Sequence, residues 1–185
     1  AVGWDGDSLF AAAALPGGIA LSRLRVDDGR RQWSQYITGS QDVRLFSFDS
    51  GVIVYNGQGL SGTAKATWID DDGEARDTVL LAGSQVEDAT ADGRLVRIED
   101  GELAVVKGHV ASPVERWRPP DAGCAVKNAR SFGEQLAVLS SCGGAFRLDV
   151  IDADSLSTIY SRELGLANFA HLASAGSAFA IELDG

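Results

Sequence analysis

Leu24-Arg25-Val26-Asp27-Asp28-Gly29-Arg30-Arg31-Gln32-Trp33 is the stretch from which the fold is read. The alternating apolar residues of Ile19–Val26 run into it as a strand. Asp27-Asp28-Gly29 then stops the strand, because an acidic residue tolerates turn geometry and Gly supplies the positive φ of a short hairpin. The same punctuation recurs. Asp70-Asp71-Asp72-Gly73 precedes Glu74-Ala75-Arg76, and Glu99-Asp100-Gly101 and Asp152-Ala153-Asp154-Ser155 occupy further turns.

Between the turns lie short apolar-alternating segments, among them Val43–Phe48, Val52–Tyr55, Leu95–Ile98, Leu103–Val106, Leu136–Leu139 and Phe146–Ile151. Each ends at Gly, Asp, Asn or Ser, the pattern of strands joined by turns. Ser8–Leu15 is Ala-rich, but it is short and ends in Pro16-Gly17-Gly18, so it reads as a strand. Grouped in fours, the strands form units starting near Val2, Val43, Val86, Ala125 and Phe169. The second unit reads Val43–Phe48, Val52–Tyr55, Lys65–Ile69 and Thr78–Leu81. The fourth reads Ala125–Arg130, Gln135–Ser140, Phe146–Ile151 and Thr158–Leu164. The fifth has only Phe169–Ala173 and Ala178–Leu183.

A period of roughly 40 residues with four short strands per unit predicts an all-β chain of antiparallel β-propeller blades, about four and a half of them. The blades fall at residues 1–41, 42–84, 85–122 and 123–165, with a partial one at 166–185. A β-sandwich is the alternative, but it demands no period. The half blade is expected to be completed from residues outside 1–185 or by a second chain, because an open sheet edge is an aggregation liability.

Composition narrows the partners. The net charge of −10 disfavours nucleic acid and anionic membrane surfaces, which recruit clusters of Lys and Arg. The densest basic group, Arg23, Arg25, Arg30 and Arg31, is interleaved with Asp27 and Asp28 and reads as a solvated hairpin face rather than a phosphate site. No apolar run approaches the ~18 residues that span a bilayer. The chain starts at Ala1 and contains no Met, which reads as a processed form whose leader or membrane anchor lay outside it.

The stretch Leu24–Trp33 resembles the PQQ-like (quinoprotein-type) propeller repeat, in which an aspartate-rich turn and Gly precede a Trp. The resemblance implies that Trp33 docks between neighbouring blades. Arg76-Asp77 stands in the Trp region of the second unit and Tyr160 in that of the fourth. Gly108-His109-Val110-Ala111-Ser112-Pro113-Val114, Cys124, Leu136–Leu139, Cys142 and Arg147-Leu148-Asp149-Val150 are similar to exported actinobacterial propeller proteins. That resemblance implies a secreted or membrane-anchored location more than an activity.

Cys124 opens the first strand of the fourth unit and Cys142 lies just past the end of its second. Consecutive antiparallel strands set these positions side by side, within disulfide range. A bridge closing such a loop contributes roughly 3 kcal/mol in the chain-entropy model and predicts an extracytoplasmic location. Two reduced core thiols are the alternative. The cysteines lack CxxC spacing, so no zinc site is expected.

Chemistry is sparse. Gly59-Leu60-Ser61-Gly62 falls one residue short of a nucleophile elbow. His109 and His171 read as surface or packed residues rather than triad members. Asp70–Glu74 lacks calcium-loop spacing, since the twelfth position is Leu81. PQQ-dependent dehydrogenases of the family that the repeat resembles use adjacent cysteines, calcium and a catalytic Asp. The separated cysteines here carry no such expectation, so no cofactor is predicted. Inner strands would present Glu87, Asp88, Lys127, Asn128, Arg130 and His171 at a channel. Glu87 and Asp88 are neighbours and are expected to face opposite ways. Trp4, Trp33, Trp68 and Trp117 read as blade-packing residues, Trp33 and Trp68 foremost. Trp117, flanked by Arg116, Arg118, Pro119 and Pro120, is expected to be partly exposed and, with Arg116, Arg118 and His171, to form an interaction surface. The expectation is a non-enzymatic platform for a protein or cell-envelope component. The alternatives are a glycosidase-like hydrolase with channel-mouth carboxylates and an assembly module completed by another chain.

Overall fold

A computed structural model of the chain describes residues 2–39, 42–57, 63–82, 85–106, 114–175 and 178–184. Their regular secondary structure is entirely β-strand. Among them no helix is long and apolar enough to cross a membrane. The chain divides into two compact units near residue 83.

The first unit holds two four-stranded antiparallel meanders. One contains β1 (Val2–Asp5), β2 (Ser8–Leu15), β3 (Gly18–Arg25) and β4 (Arg31–Thr38). The other contains β5 (Val43–Phe48), β6 (Gly51–Asn56), β7 (Thr63–Asp70) and β8 (Ala75–Ala82). The Ala-rich β2 is extended because both its edges are paired, Ala12 lying opposite Leu21 and Val2 opposite Ala11. Pairing of this kind overrides alanine's helical preference. β1 and β5 lie side by side. The sheets bury Phe10, Ile19 and Leu21 against Val52, Val54 and Ile69.

The second unit holds two more such meanders and a hairpin. The third sheet has β9 (Gln85–Ala89), β10 (Leu95–Glu99), β11 (Glu102–Val106) and β12 (Glu115–Trp117). β12 carries Trp117 and was not legible as a strand, because only three residues pair before Pro119 and Pro120 end it. Asp100 and Gly101 form the β10–β11 turn with φ of 51° and 78°, both left-handed. The fourth sheet has β13 (Cys124–Phe132), β14 (Gln135–Cys142), β15 (Ala145–Asp152) and β16 (Thr158–Leu166). β17 (Phe169–Ala175) and β18 (Ala178–Asp184) form the hairpin. Within this unit β13 contacts both β9 and β17, so first strands of successive sheets again adjoin. One core lies between the third and fourth sheets, around Val105, Trp117, Leu136 and Ile151. Another lies between the fourth sheet and the hairpin, around Leu139, Leu148 and Leu172.

The repeat extends to fine register. The pairing of third with fourth strand is interrupted by a bulge between Arg23 and Leu24, between Trp68 and Ile69, and between Val150 and Ile151. Immediately beyond the bulge stand Trp33, Asp77 and Tyr160, opposite Arg23, Trp68 and Val150. These three residues therefore hold one equivalent position in three blades.

Candidate functional site

Three polar clusters join neighbouring blades, and they absorb most of the residues that the sequence offers for chemistry. In the first unit, Trp33 Nε1 donates to the Asp71 carbonyl at 2.8 Å. Arg23 donates to the same carbonyl at 2.7 Å and pairs with the Asp71 carboxylate at 2.9 Å. The Trp33 ring packs against the turn at Gly73, where a Cβ would lie 3.0 Å from Cδ2 of the ring. The turn itself is tied by Asp70, whose Oδ1 accepts from the amides of Asp72 at 3.1 Å and Glu74 at 2.8 Å. Asp70 Oδ2 also accepts from Arg76 at 2.5 Å. Burial raises the Asp70 carboxyl, but the Glu74 amide, Arg76 and the Asp72 amide outweigh it and hold the group below the usual carboxylate range. These oxygens tie the turn and the Arg76 guanidinium beside it.

Three arginines of the basic group nearby are spent in the same way. Arg25 pairs with Asp27 and Arg30 with Asp28. A polar cavity of about 480 Å³ is lined by Asp7, Ser8, Arg23 and Arg25, but both cations in its wall already hold carboxylates.

The inner-strand residues Glu87, Asp88, Asn128 and Arg130 do come together. Asn128 Nδ2 donates to Glu87 Oε2 at 2.7 Å, and Arg130 donates to the same oxygen at 3.0 Å. The backbone amide of Ser131 donates to Asp88 Oδ2 at 2.8 Å. The expectation that Glu87 and Asp88 face opposite ways is overturned, since both reach β13. The reason is a bulge in β9, where Val96 faces Asp88 and Arg97 faces Val86, leaving Glu87 as the extra residue. A bulge breaks strict alternation. β13 carries a matching bulge in which Lys127 is the extra, exposed residue. Burial pushes the Asp88 carboxyl above its ordinary range, opposed by the amides of Ser131 and Ala89. The Glu87 side chain is only 3% exposed, so this cluster is a seam between β9 and β13 rather than an open pair of acids.

A third cluster joins the same two blades farther out. Arg94, 5% exposed, pairs with Asp92 at 2.8 Å and with Asp154 of the β15–β16 turn at 2.6 Å. Trp117 does not lie on an exposed surface, as its flanking charges suggested. It is 7% exposed in the core between the third and fourth sheets, and its Nε1 donates to Thr158 Oγ1 at 3.3 Å. Strand alternation separates it from its neighbours: Arg116 and Arg118 point outward and pair with Glu99 and Glu102, both at 2.6 Å. Trp117 thus contacts the following blade through its indole, as Trp33 does. Asp149, fully buried, is held by Arg147 at 3.0 Å and by the Ser161 hydroxyl at 2.5 Å.

Trp68 is buried on β7. His171 is exposed and stacks on Phe169 with ring centroids 6.3 Å apart. A disulfide joins Cys124 and Cys142, directly opposite one another on β13 and β14 with 4.2 Å between Cα atoms. His109, the Gly108–Pro113 stretch and Gly59–Gly62 lie outside the described residues.

Among the described residues, the exposed large apolar side chains of the second unit are Val114, Ile159, Tyr160, Leu166, Phe169 and Leu183. All but Val114 belong to β16, β17 and β18. Leu166 is 81% exposed and Phe169 51%.

The chain matches no protein-family model, and no curated protein sequence matches it. Its fold is similar to solved structures. The β-propeller domain of Cps50 (Swd1) from Myceliophteria thermophila aligns with a TM-score of 0.57 at 16% identity, over 96% of this chain and 59% of that one. Hsv2 from Kluyveromyces lactis aligns with a TM-score of 0.56 at 14% identity, over 90% and 51%. A prolyl endopeptidase aligns with a TM-score of 0.57 at 12% identity, over 95% of this chain but 28% of its own length. The chain thus spans little more than half of the first two, and these identities establish the fold alone. With the repeated meanders and adjoining first strands, they define the class: all-β, with the four-stranded blades of a β-propeller, about four and a half in this chain.

Proposed function

We propose that the chain is a non-enzymatic scaffold of PQQ-like repeat type that binds a protein or cell-envelope partner through the exposed apolar residues of β16, β17 and β18. The observation that carries this reading is their concentration. Five exposed large apolar side chains lie on these three strands, on more than one face, while Glu87, Asp88 and Arg130 of the inner strands are held in a seam. Exposed apolar clusters mark interaction sites, and rigid seams suit a platform. The similarity to the Cps50 propeller domain lends support at the level of fold.

The Cys124–Cys142 bridge supports an oxidising compartment outside the cytoplasm. Against the hydrolase alternative, Glu87 is paired with Arg130 and Asp88 accepts backbone amides, so neither stands free as an acid or base.

Affinity capture from the source cell envelope tests the reading. Leu166→Glu and Phe169→Glu are expected to abolish capture of partners that the unaltered chain retains, while Tyr36→Glu and Leu80→Glu, exposed in the first unit, leave capture intact. Equal capture by all variants, or glycoside turnover lost in Glu87→Gln, contradicts it.

A further inference from the structure

The polar cavity at the turn end of the first blade has free groups that fit one class of ligand. Its volume, about 480 Å³, is that of a small-molecule pocket. Strand register builds it. Ser8 of β2 lies opposite Arg25 of β3, and the Val26 amide donates to the Asp7 carbonyl at 3.0 Å, so the β1–β2 and β3–β4 turns stand side by side. The bulge between β3 and β4 brings in a further group. Trp33 lies opposite Arg23 and Arg31 opposite Leu24, which leaves Gln32 as the extra residue, and it lines the cavity. Bulges re-aim side chains in this way. In the other two blades with this bulge the extra residues are Arg76, which pairs with Asp70, and Ile159, so the amide is particular to the first blade.

One wall is fixed. Arg23 donates from Nε to the Ser8 hydroxyl at 2.9 Å, holds the carbonyl and carboxylate of Asp71, and lies over the Phe10 ring at 5.7 Å from its centroid. The buried Ser8 hydroxyl accepts that bond and keeps its own proton to give. Arg25 spends Nε and Nη2 on Asp27, which leaves Nη1. The Asp7 carboxylate and the Gln32 side-chain amide form no hydrogen bond or ion pair among the described residues. The cavity therefore offers a carboxylate that only accepts, a hydroxyl and a guanidinium that donate, and an amide that does both. Val26, 41% exposed, adds an apolar patch.

Charge decides between ligands. An anion would meet Asp7 and Asp27, and both arginines are already neutralised by carboxylates. A cation would find Asp7 but stand beside Arg23 and Arg25. A neutral polyol meets neither penalty, because each of its hydroxyls both donates and accepts. We propose that this cavity binds a neutral saccharide, whose hydroxyls donate to the Asp7 carboxylate and accept from Ser8, Gln32 and Arg25 Nη1, with a C–H face of the sugar on Val26. Hydrogen bonds to an ionised acceptor are the strong ones, and a wall already held in place lowers the ordering cost of binding. The site goes beyond the platform reading, since it shares no residue with the exposed apolar strands β16, β17 and β18.

Saturation-transfer difference NMR tests it on the full chain, with glucose, galactose, mannose and N-acetylglucosamine as the probes. At least one sugar is expected to bind saturably, without competition from inorganic phosphate or methylguanidinium. Asp7→Asn and Gln32→Ala are each expected to weaken that sugar about tenfold, the loss of one good hydrogen bond. Both side chains are exposed, so neither change disturbs the fold. Leu166→Glu, on β16, is expected to leave sugar binding unchanged. Absence of binding by all of the sugars, or equal binding by the unaltered chain and both cavity variants, overturns the inference. Displacement by phosphate or methylguanidinium overturns it too, since the ligand is then an ion, as does loss of sugar binding in Leu166→Glu, since the sugar then lies on the other surface.

Discussion

Replacing Gly73 by Ala separates a backbone cost from a docking cost. Gly73 has φ of 85°, and a Cβ there would lie 3.0–3.3 Å from three atoms of the Trp33 ring. Gly29 sits in the corresponding turn of the first blade with φ of 67°, and a Cβ there meets nothing within 4 Å. Both substitutions bear the left-handed penalty of about 1–2 kcal/mol. Only Gly73→Ala must also push the indole aside. That weakens the 2.8 Å hydrogen bond from Trp33 Nε1 to the Asp71 carbonyl, worth about 1 kcal/mol, and forces the ring off its rotamer at a similar cost. Urea unfolding is therefore expected to show Gly73→Ala destabilising by about 1–2 kcal/mol more than Gly29→Ala. In a Trp33→Ala background the difference should vanish, because the atoms that would be struck are gone. Equal costs in the unaltered chain, or a difference that survives Trp33→Ala, refutes the dock.

Further outcomes follow from the other seams. Arg130→Ala leaves the buried Glu87 carboxylate without its cation and should cost about 3 kcal/mol in the same assay, whereas the paired change Glu87→Leu with Arg130→Leu should recover most of it. Trp117→Ala should cost about 3–5 kcal/mol, as for a large core side chain, while Arg118→Ala beside it should change stability by less than about 0.5 kcal/mol. Mass spectrometry without reductant should find Cys124 and Cys142 joined, and reduction should lower stability by roughly 3 kcal/mol. Asp152 accepts the amide and hydroxyl of Ser155 and then the amide of Asp154, which hold its carboxyl below 3.8. Its contribution is present above that pH and is lost as pH falls through the lower folded value. Asp152→Asn should therefore flatten the acid limb of stability measured between about pH 4 and 2.

The blade repeat was legible because it is written in local chemistry. Asp-Gly turns and alternating strands announce themselves residue by residue, and the spacing of Cys124 and Cys142 on adjacent strands followed from the same strand count. What could not be read depends on irregular register or on neighbours remote in sequence. Glu87 and Asp88 face β13 together only because β9 bulges opposite Val96 and Arg97, and no residue type marks that bulge. Trp117 looked exposed because charged and Pro residues flank it, yet a three-residue strand is enough to turn its indole toward Thr158, forty-one positions away. The equivalence of Trp33 and Tyr160 was visible as a loose substitution. Their contrast in burial was not, because it depends on what packs over the next blade.

The most direct test is hydrogen–deuterium exchange of the chain alone and bound to its captured partner. The account predicts new protection confined to Thr158–Leu166, Phe169–Ala175 and Ala178–Asp184, with the β9 and β13 amides unchanged. Protection centred instead on β9 and β13, or on the Asp7–Arg25 cavity, would contradict it.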